Sequence, residues 1–192
     1  MKTHLLTKRR VLSVALLVLL LTVAGVTKAL AQGFTSNNLN YTINDDGVSV
    51  TVTGHAQGTS YYGAVNIPDE VTYNETTYAV TKIAQSAFQN CVGITSVTIP
   101  SGMTFIGDNA FGDCTGLITL NYNATNCSLG STNYISWYYD HWLYGCTSLV
   151  SLNIGEGVQR IPDYFVCARK NDSNWGDIIW RARLLYQTVS RQ

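Results

Sequence analysis

The sequence predicts a mainly β chain built as a stack of similar units, and three observations predict it. The string Ala87-Phe88-Gln89-Asn90-Cys91 returns as Ala110-Phe111-Gly112-Asp113-Cys114, 23 residues later. The apolar set Ile94, Val97, Ile99 returns at the same step as Leu117, Leu120, Tyr122, and after a further 32 residues as Leu149, Leu152, Ile154. The last two positions of each set flank one intervening residue, the period of a strand with one face in and one face out. A fixed period of this length means that each unit buries its apolar face against its neighbours in the stack.

Taken in chain order, residues 1–31 read as a cleaved secretory signal peptide. Lys8-Arg9-Arg10 supplies the basic start, Val11 to Val26 a 16-residue apolar run, and Ala29-Leu30-Ala31 an A-x-A cleavage site. The run is short of the ~20 residues of a membrane span, so no span is expected after cleavage. Residues 32–60 read as an N-terminal capping hairpin. LNYTI and VSVTVTG are two strands around Asn44-Asp45-Asp46-Gly47, with Asp-Gly as the turn signal. Such a hairpin covers the exposed apolar end of a stack.

Residues 61–165 carry the repeats. Tyr62, Val65 and Ile67 supply a degenerate first copy of the strand pattern, 32 residues before the Ile94 set. A second apolar block follows each strand: Val80 and Ile83 with Ala87-Phe88, Met103 and Ile106 with Ala110-Phe111, Val158 and Ile161 with Tyr164-Phe165. Both 32-residue steps are the 23-residue unit with nine residues added. One addition falls between Pro68 and Val80, the other between Phe111 and Leu143. Both are expected as outward loops at corners, where extra length costs little.

This skeleton resembles the bacterial BspA-like leucine-rich repeat surface antigens, whose units read roughly LTSVTIP-x-x-V-x-x-IG-x-x-AF-x-x-C. ITSVTIPSGMTFIGDNAFGDC, residues 94–114, matches almost throughout. The resemblance covers about Ala64 to Phe165; Trp142-Leu143 replaces Ala-Phe, and Cys167 comes one residue early. It implies a right-handed leucine-rich-repeat solenoid of about four rungs with an N-terminal β-hairpin cap. It also implies a secreted or cell-surface role in binding or adhesion to protein ligands on host or neighbouring cells.

For residues 166–192 two readings stand. Ile178, Ala182, Leu185 and Val189 fall at helical spacing, behind Ser173 or Asn174 as N-cap, so the segment is a capping helix. Alternatively the reading frame changes near Cys167 and the tail is irregular. The chain would then be a truncated family member with no function of its own.

Charge sharpens the functional class. The whole chain is neutral, but five of its twelve basic residues lie within 1–31, which leaves −5 for the remainder. Up to Phe165 only Lys82 and Arg160 oppose ten acids. An acidic stack repels phosphate backbones, which argues against nucleic-acid binding.

Cys91, Cys114 and Cys146 occupy one repeat position. They are expected to form a ladder of buried thiols with steps of about 4.8 Å, their parallel Cβ directions being poorly aimed for disulfides. Cys127 and Cys167 lie outside it. With no C-x-x-C or His-spaced pair, no metal site or cofactor is expected. Catalysis has little to rest on. His55 and the Asp140-His141 pair lack any nucleophile motif. Asp45-Asp46 and Asp69-Glu70 sit at turns, so the chain is read as a non-enzyme. Five N-x-S/T sequons (Asn40, Asn74, Asn123, Asn126, Asn171) are read as turn composition.

One segment stands out as a candidate partner-binding site. The second addition ends in an aromatic cluster in which Trp137, Tyr138 and Tyr139 would project, whereas Trp142 and Leu143 would be core. Rigid aromatics give large contact area at low entropic cost, at protein and sugar sites alike. A carbohydrate-binding module using this cluster is therefore the alternative to protein binding.

Overall fold

The computed structural model describes residues 32–130 and 141–162. The expected signal peptide at 1–31, the tail at 166–192 and Cys167 all lie outside the described residues. Within them the chain is mainly β, as expected, and the one helical element among them is a 3-10 turn at Gly58–Ser60.

The strands are β1 (Gly33–Ser36), β2 (Leu39–Ile43), β3 (Ser49–His55), β4 (Tyr62–Asn66), β5 (Glu70–Tyr73), β6 (Thr76–Ile83), β7 (Gly93–Ile99), β8 (Phe105–Ile106), β9 (Thr119–Tyr122), β10 (Ser128–Leu129) and β11 (Ser151–Ile154). Two sheets form. One is fully parallel, in the order β11-β9-β7-β4. The other runs β1-β2-β3-β6-β8-β10, with β5 paired to β6. The copies that begin with β4, β7 and β9 each send a later strand, β6, β8 and β10, to the other sheet, and the copy that begins with β11 adds only an isolated bridge from Arg160 to Asn126.

The register follows the repeat. Val65, Val97, Leu120 and Leu152 are successive partners across the parallel sheet. Between the strands, the N–H of Phe88 donates to Ala110 O at 2.7 Å and that of Phe111 to Trp142 O at 2.8 Å. Trp142 therefore stands where Ala110 stands one copy earlier. Trp142 and Leu143 are both buried, as expected. The rings of Phe88 and Phe111 stack at 4.9 Å and 1°, and Trp142 meets Phe111 edge-on at 6.1 Å and 71°.

The AF-x-x-C turn has a backbone reason. The residue before each ladder cysteine is left-handed: Asn90 (φ 61°), Asp113 (φ 57°) and Gly145 (φ 74°). Asn, Asp and Gly are the residues that visit this region at least cost.

Two expectations are corrected. Tyr62 is not a core position: it is 76% exposed, where Ile94 is fully buried. The β4–β7 register shifts between Gly63 and Ala64, so Tyr62 pairs with Gly93 instead of Ile94. Gly63 sits at φ 114° to allow the shift, and the Tyr62 ring crosses the space that a Cβ on Gly93 would need. The first nine-residue addition is likewise not an outward loop. It is the hairpin β5–β6, turned by Asn74 (φ 48°) and Glu75 (φ 64°), with Val71 buried. Its Tyr73 stacks on Phe34 of β1 at 4.3 Å, tying the addition to the N-terminal strands.

Strands β2 and β3 are the antiparallel arms expected of LNYTI and VSVTVTG. β1 adds a third strand outside β2, and β3 also pairs in parallel with β6. Tyr41 of β2 is buried with its hydroxyl unpartnered among the described residues, and burial pushes that hydroxyl up to about 12. An unsatisfied buried hydroxyl costs about 1–3 kcal/mol. Tyr41→Phe is therefore expected to raise the thermal unfolding midpoint; a lowered midpoint would show that the hydroxyl is paired.

Candidate binding surface

The outer face of the parallel sheet is built from the residues between the repeated apolar ones. Two rows cross it. Ala64, Ser96, Thr119 and Ser151 are successive partners, as are Asn66, Thr98, Asn121 and Asn153. The second row is joined by side chains: Asn153 Nδ2 donates to Asn121 Oδ1 at 2.8 Å, and Asn121 Nδ2 to Thr98 Oγ1 at 3.2 Å. None of these eight residues is charged. Along the start of the strands runs an apolar margin. Ile118 donates its N–H to Thr95 O and Val150 to Ile118 O, so Ile118 and Val150 are neighbours, and both are exposed, as are Tyr62 and Val92. A neutral, small, hydrogen-bonded face with an exposed apolar border suits contact with another macromolecule.

The aromatic residues Trp137, Tyr138 and Tyr139 lie outside the described residues, as does Asp140. The rows on the sheet were missed as a site, although each occupies one fixed position of the repeat and the period alone aligns them.

The remaining candidates resolve into structural roles. Asp46 accepts from the N–H groups of Val48 and Ser49 and from the Ser49 hydroxyl, which hold its carboxyl below the usual carboxylate range. Asp69 accepts from Ser101 Oγ at 3.1 Å and clips one corner to the next. His55 is buried, stacks on Tyr61 at 3.7 Å, and accepts from the Gln57 N–H at Nδ1, 3.1 Å away. Burial lowers its pKa, so it stays neutral. Among the described residues no cluster of His, Cys, Asp and Glu is grouped to hold a metal ion, and no helix is long and apolar enough to cross a membrane.

Cys91, Cys114 and Cys146 are buried free thiols. Cys114 Sγ donates to Phe88 O and Cys146 Sγ to Phe111 O, each at 3.1 Å, so each thiol caps a carbonyl of the preceding copy. Burial pushes the Cys146 thiol up from 9.0 to about 12, and Cys114 higher still. The unfolded thiols ionise first, so this share of stability is complete below pH 9 and is lost as pH rises toward 12. At pH 8 the folded protein is expected to leave Cys114 and Cys146 unmodified by iodoacetamide, while urea-unfolded chain is alkylated at both. Mass mapping of modified peptides checks this, and equal labelling of folded and unfolded chain would contradict the burial.

The family model for the BspA type leucine-rich repeat region (6 copies) matches residues 60–171. The chain belongs to that family. Membership points to protein binding as its broad role, in a family that is generally non-enzymatic. Among solved structures, a leucine-rich repeat protein of Bacteroides ovatus is 27% identical, with a TM-score of 0.50; the match covers 67% of this chain and 31% of that one. A leucine-rich cell surface protein of Faecalibacterium prausnitzii is 22% identical over 66% of this chain and 44% of its own, with a TM-score of 0.46. A leucine-rich repeat protein of T. pallidum is 22% identical over 70% and 56%, with a TM-score of 0.48. This chain thus spans less than half the length of the first two. No curated protein matches it.

Proposed function

We propose that this leucine-rich repeat protein is exported by its N-terminal signal segment, is secreted or held at the cell surface, and binds a protein ligand on a host or neighbouring cell. It is not an enzyme on this reading. The two sheets are the walls of a right-handed solenoid of about four rungs, with residues 32–60 as its N-terminal cap. The observation that carries the proposal is the uncharged face of Ser96, Thr98, Thr119, Asn121, Ser151 and Asn153 beside exposed Ile118 and Val150. A frame held by backbone ladders presents these side chains with little ordering cost on binding.

The test is a pull-down of surface proteins by the chain without residues 1–31, beside the double variant Ile118→Arg, Asn121→Arg. Two cations on a neutral face are expected to abolish capture while circular dichroism stays unchanged. Capture that survives them would move the binding site elsewhere. Trp137→Ala, assayed on a glycan array and in the same pull-down, separates the carbohydrate alternative. Glycan binding lost on this substitution, without any protein capture, would replace the proposal.

A further inference from the structure

The two sheets do not end together at the N-terminal side. The larger sheet continues past β6 into β3, β2 and β1, whereas the parallel sheet stops at β4. Among the described residues, one strand position is thus filled in the larger sheet and open in the parallel one.

The backbone of β4 is poised toward that opening. Ile67 donates its N–H to Thr98 O at 3.2 Å. In a parallel ladder alternate residues face the same neighbour, so Val65 and Ile67 face β7, and Ala64 and Asn66 turn their backbone groups away. Both are exposed. The carbonyl of Ala64 accepts the Tyr61 hydroxyl at 2.5 Å. Among the described residues no hydrogen bond engages the N–H of Ala64 or either backbone group of Asn66. These edge groups line one side of a cleft of about 220 Å³, and Asn37, Asn38, Leu39 and His55 line the other.

We infer that this cleft is a strand-addition site for an extended, uncharged peptide of a partner protein, which pairs in the parallel sheet along the free edge of β4. Backbone hydrogen bonds would supply affinity and alternate side chains specificity. The chemistry of the peptide follows from the strands already stacked. Inward positions are Val65, Val97, Leu120 and Leu152, and their outward neighbours are small and, Ala64 apart, polar. The Asn153–Asn121–Thr98 row reaches Asn66, which is exposed and makes no side-chain hydrogen bond among the described residues. An incoming Thr or Asn there extends the row, and an aliphatic residue beside it faces the core. The eight lining residues include no Asp, Glu, Lys or Arg, and burial keeps His55 neutral, so a charged strand would lose hydration without gaining a partner. The edge adjoins the outer face at Ala64 and Asn66 but includes none of the residues that carry the proposed function, Ser96, Thr98, Ile118, Thr119, Asn121, Val150, Ser151 and Asn153, so either site can fail without the other.

The probe is a blocked peptide, Gly-Ser-Thr-Leu-Asn-Ser-Gly, titrated into the chain without residues 1–31 by calorimetry. Saturable binding is expected, with slowed amide exchange at Ala64 and Asn66. The same peptide N-methylated at alternate amides, which cannot form the ladder, is expected to bind at least about tenfold more weakly. Ile118→Arg, on the face, is expected to leave the peptide affinity unchanged. No saturable binding, equal affinity of the N-methylated peptide, or protection that appears away from β4 overturns the inference. So does a concentration-dependent dimer that protects Ala64 and Asn66 and that the peptide does not dissociate, since the occupant would then be a second copy.

Discussion

Replacing Phe111 by alanine is expected to cost about 3–5 kcal/mol of unfolding free energy, the range for truncating a fully buried aromatic. Phe111 is fully buried and sits between Phe88, stacked at 4.9 Å, and Trp142, edge-on at 6.1 Å. Truncation removes contacts on both sides and leaves a gap that neither neighbour can close. Phe88 is held by the bond from its N–H to Ala110 O, and Trp142 by the bond its carbonyl accepts from Phe111. Because Phe111 packs on a ring from each neighbouring copy, the damage also weakens the contact between those copies. Urea titration followed by tryptophan fluorescence checks both points. The denaturation midpoint falls and the transition broadens, whereas a loss below about 1 kcal/mol would mean that the site collapses around the smaller side chain.

What the sequence revealed depended on how directly a feature rests on the period. The 23- and 32-residue steps gave the register of Val97, Leu120 and Leu152 and the alignment of Trp142 with Ala110. They also gave the cysteine position, since a thiol repeated at one step must meet the same environment in each copy. The shift at Gly63 was not legible, because one bulged residue moves Tyr62 from core to surface without changing any spacing. The hairpin β5–β6 was half legible. Glu70 to Tyr73 alternates as a strand does, but Thr76-Thr77-Tyr78-Ala79 does not, and Asn74-Glu75 lacks the glycine that marks a tight turn. The open edge of β4 was out of reach, because it depends on which strands pair between distant segments, and a linear pattern does not encode that order.

The family's Ile-Gly step carries the second large effect. In the copy before it, the residue after Ile83 is Ala84, so the position does not demand glycine everywhere. It does at Gly107. A Cβ built there would press into the backbone of Ala84 and Gln85, one copy back. That backbone cannot withdraw, because Ser86 donates its N–H to Asp108 O at 2.9 Å and Gly107 donates to Ile83 O at 2.9 Å. Ala84 tolerates its own methyl because its neighbour on the N-terminal side is β3, to whose Val52 O it donates at 2.8 Å, and not another AF-x-x-C turn. Gly107→Val must therefore push two neighbouring copies apart, at a cost of about 3 kcal/mol, and Gly107→Ala is expected to cost less but keep the same sign. Ala84→Gly serves as the control. It removes a methyl without relieving any contact at Gly107, so it is expected to lower stability by no more than about 1 kcal/mol. Thermal unfolding of the three variants decides the matter: if Gly107→Val melts within a degree or two of the parent chain, the copies are not packed backbone to backbone at this step, and the close approach of Gly107 to Ala84 and Gln85 is wrong.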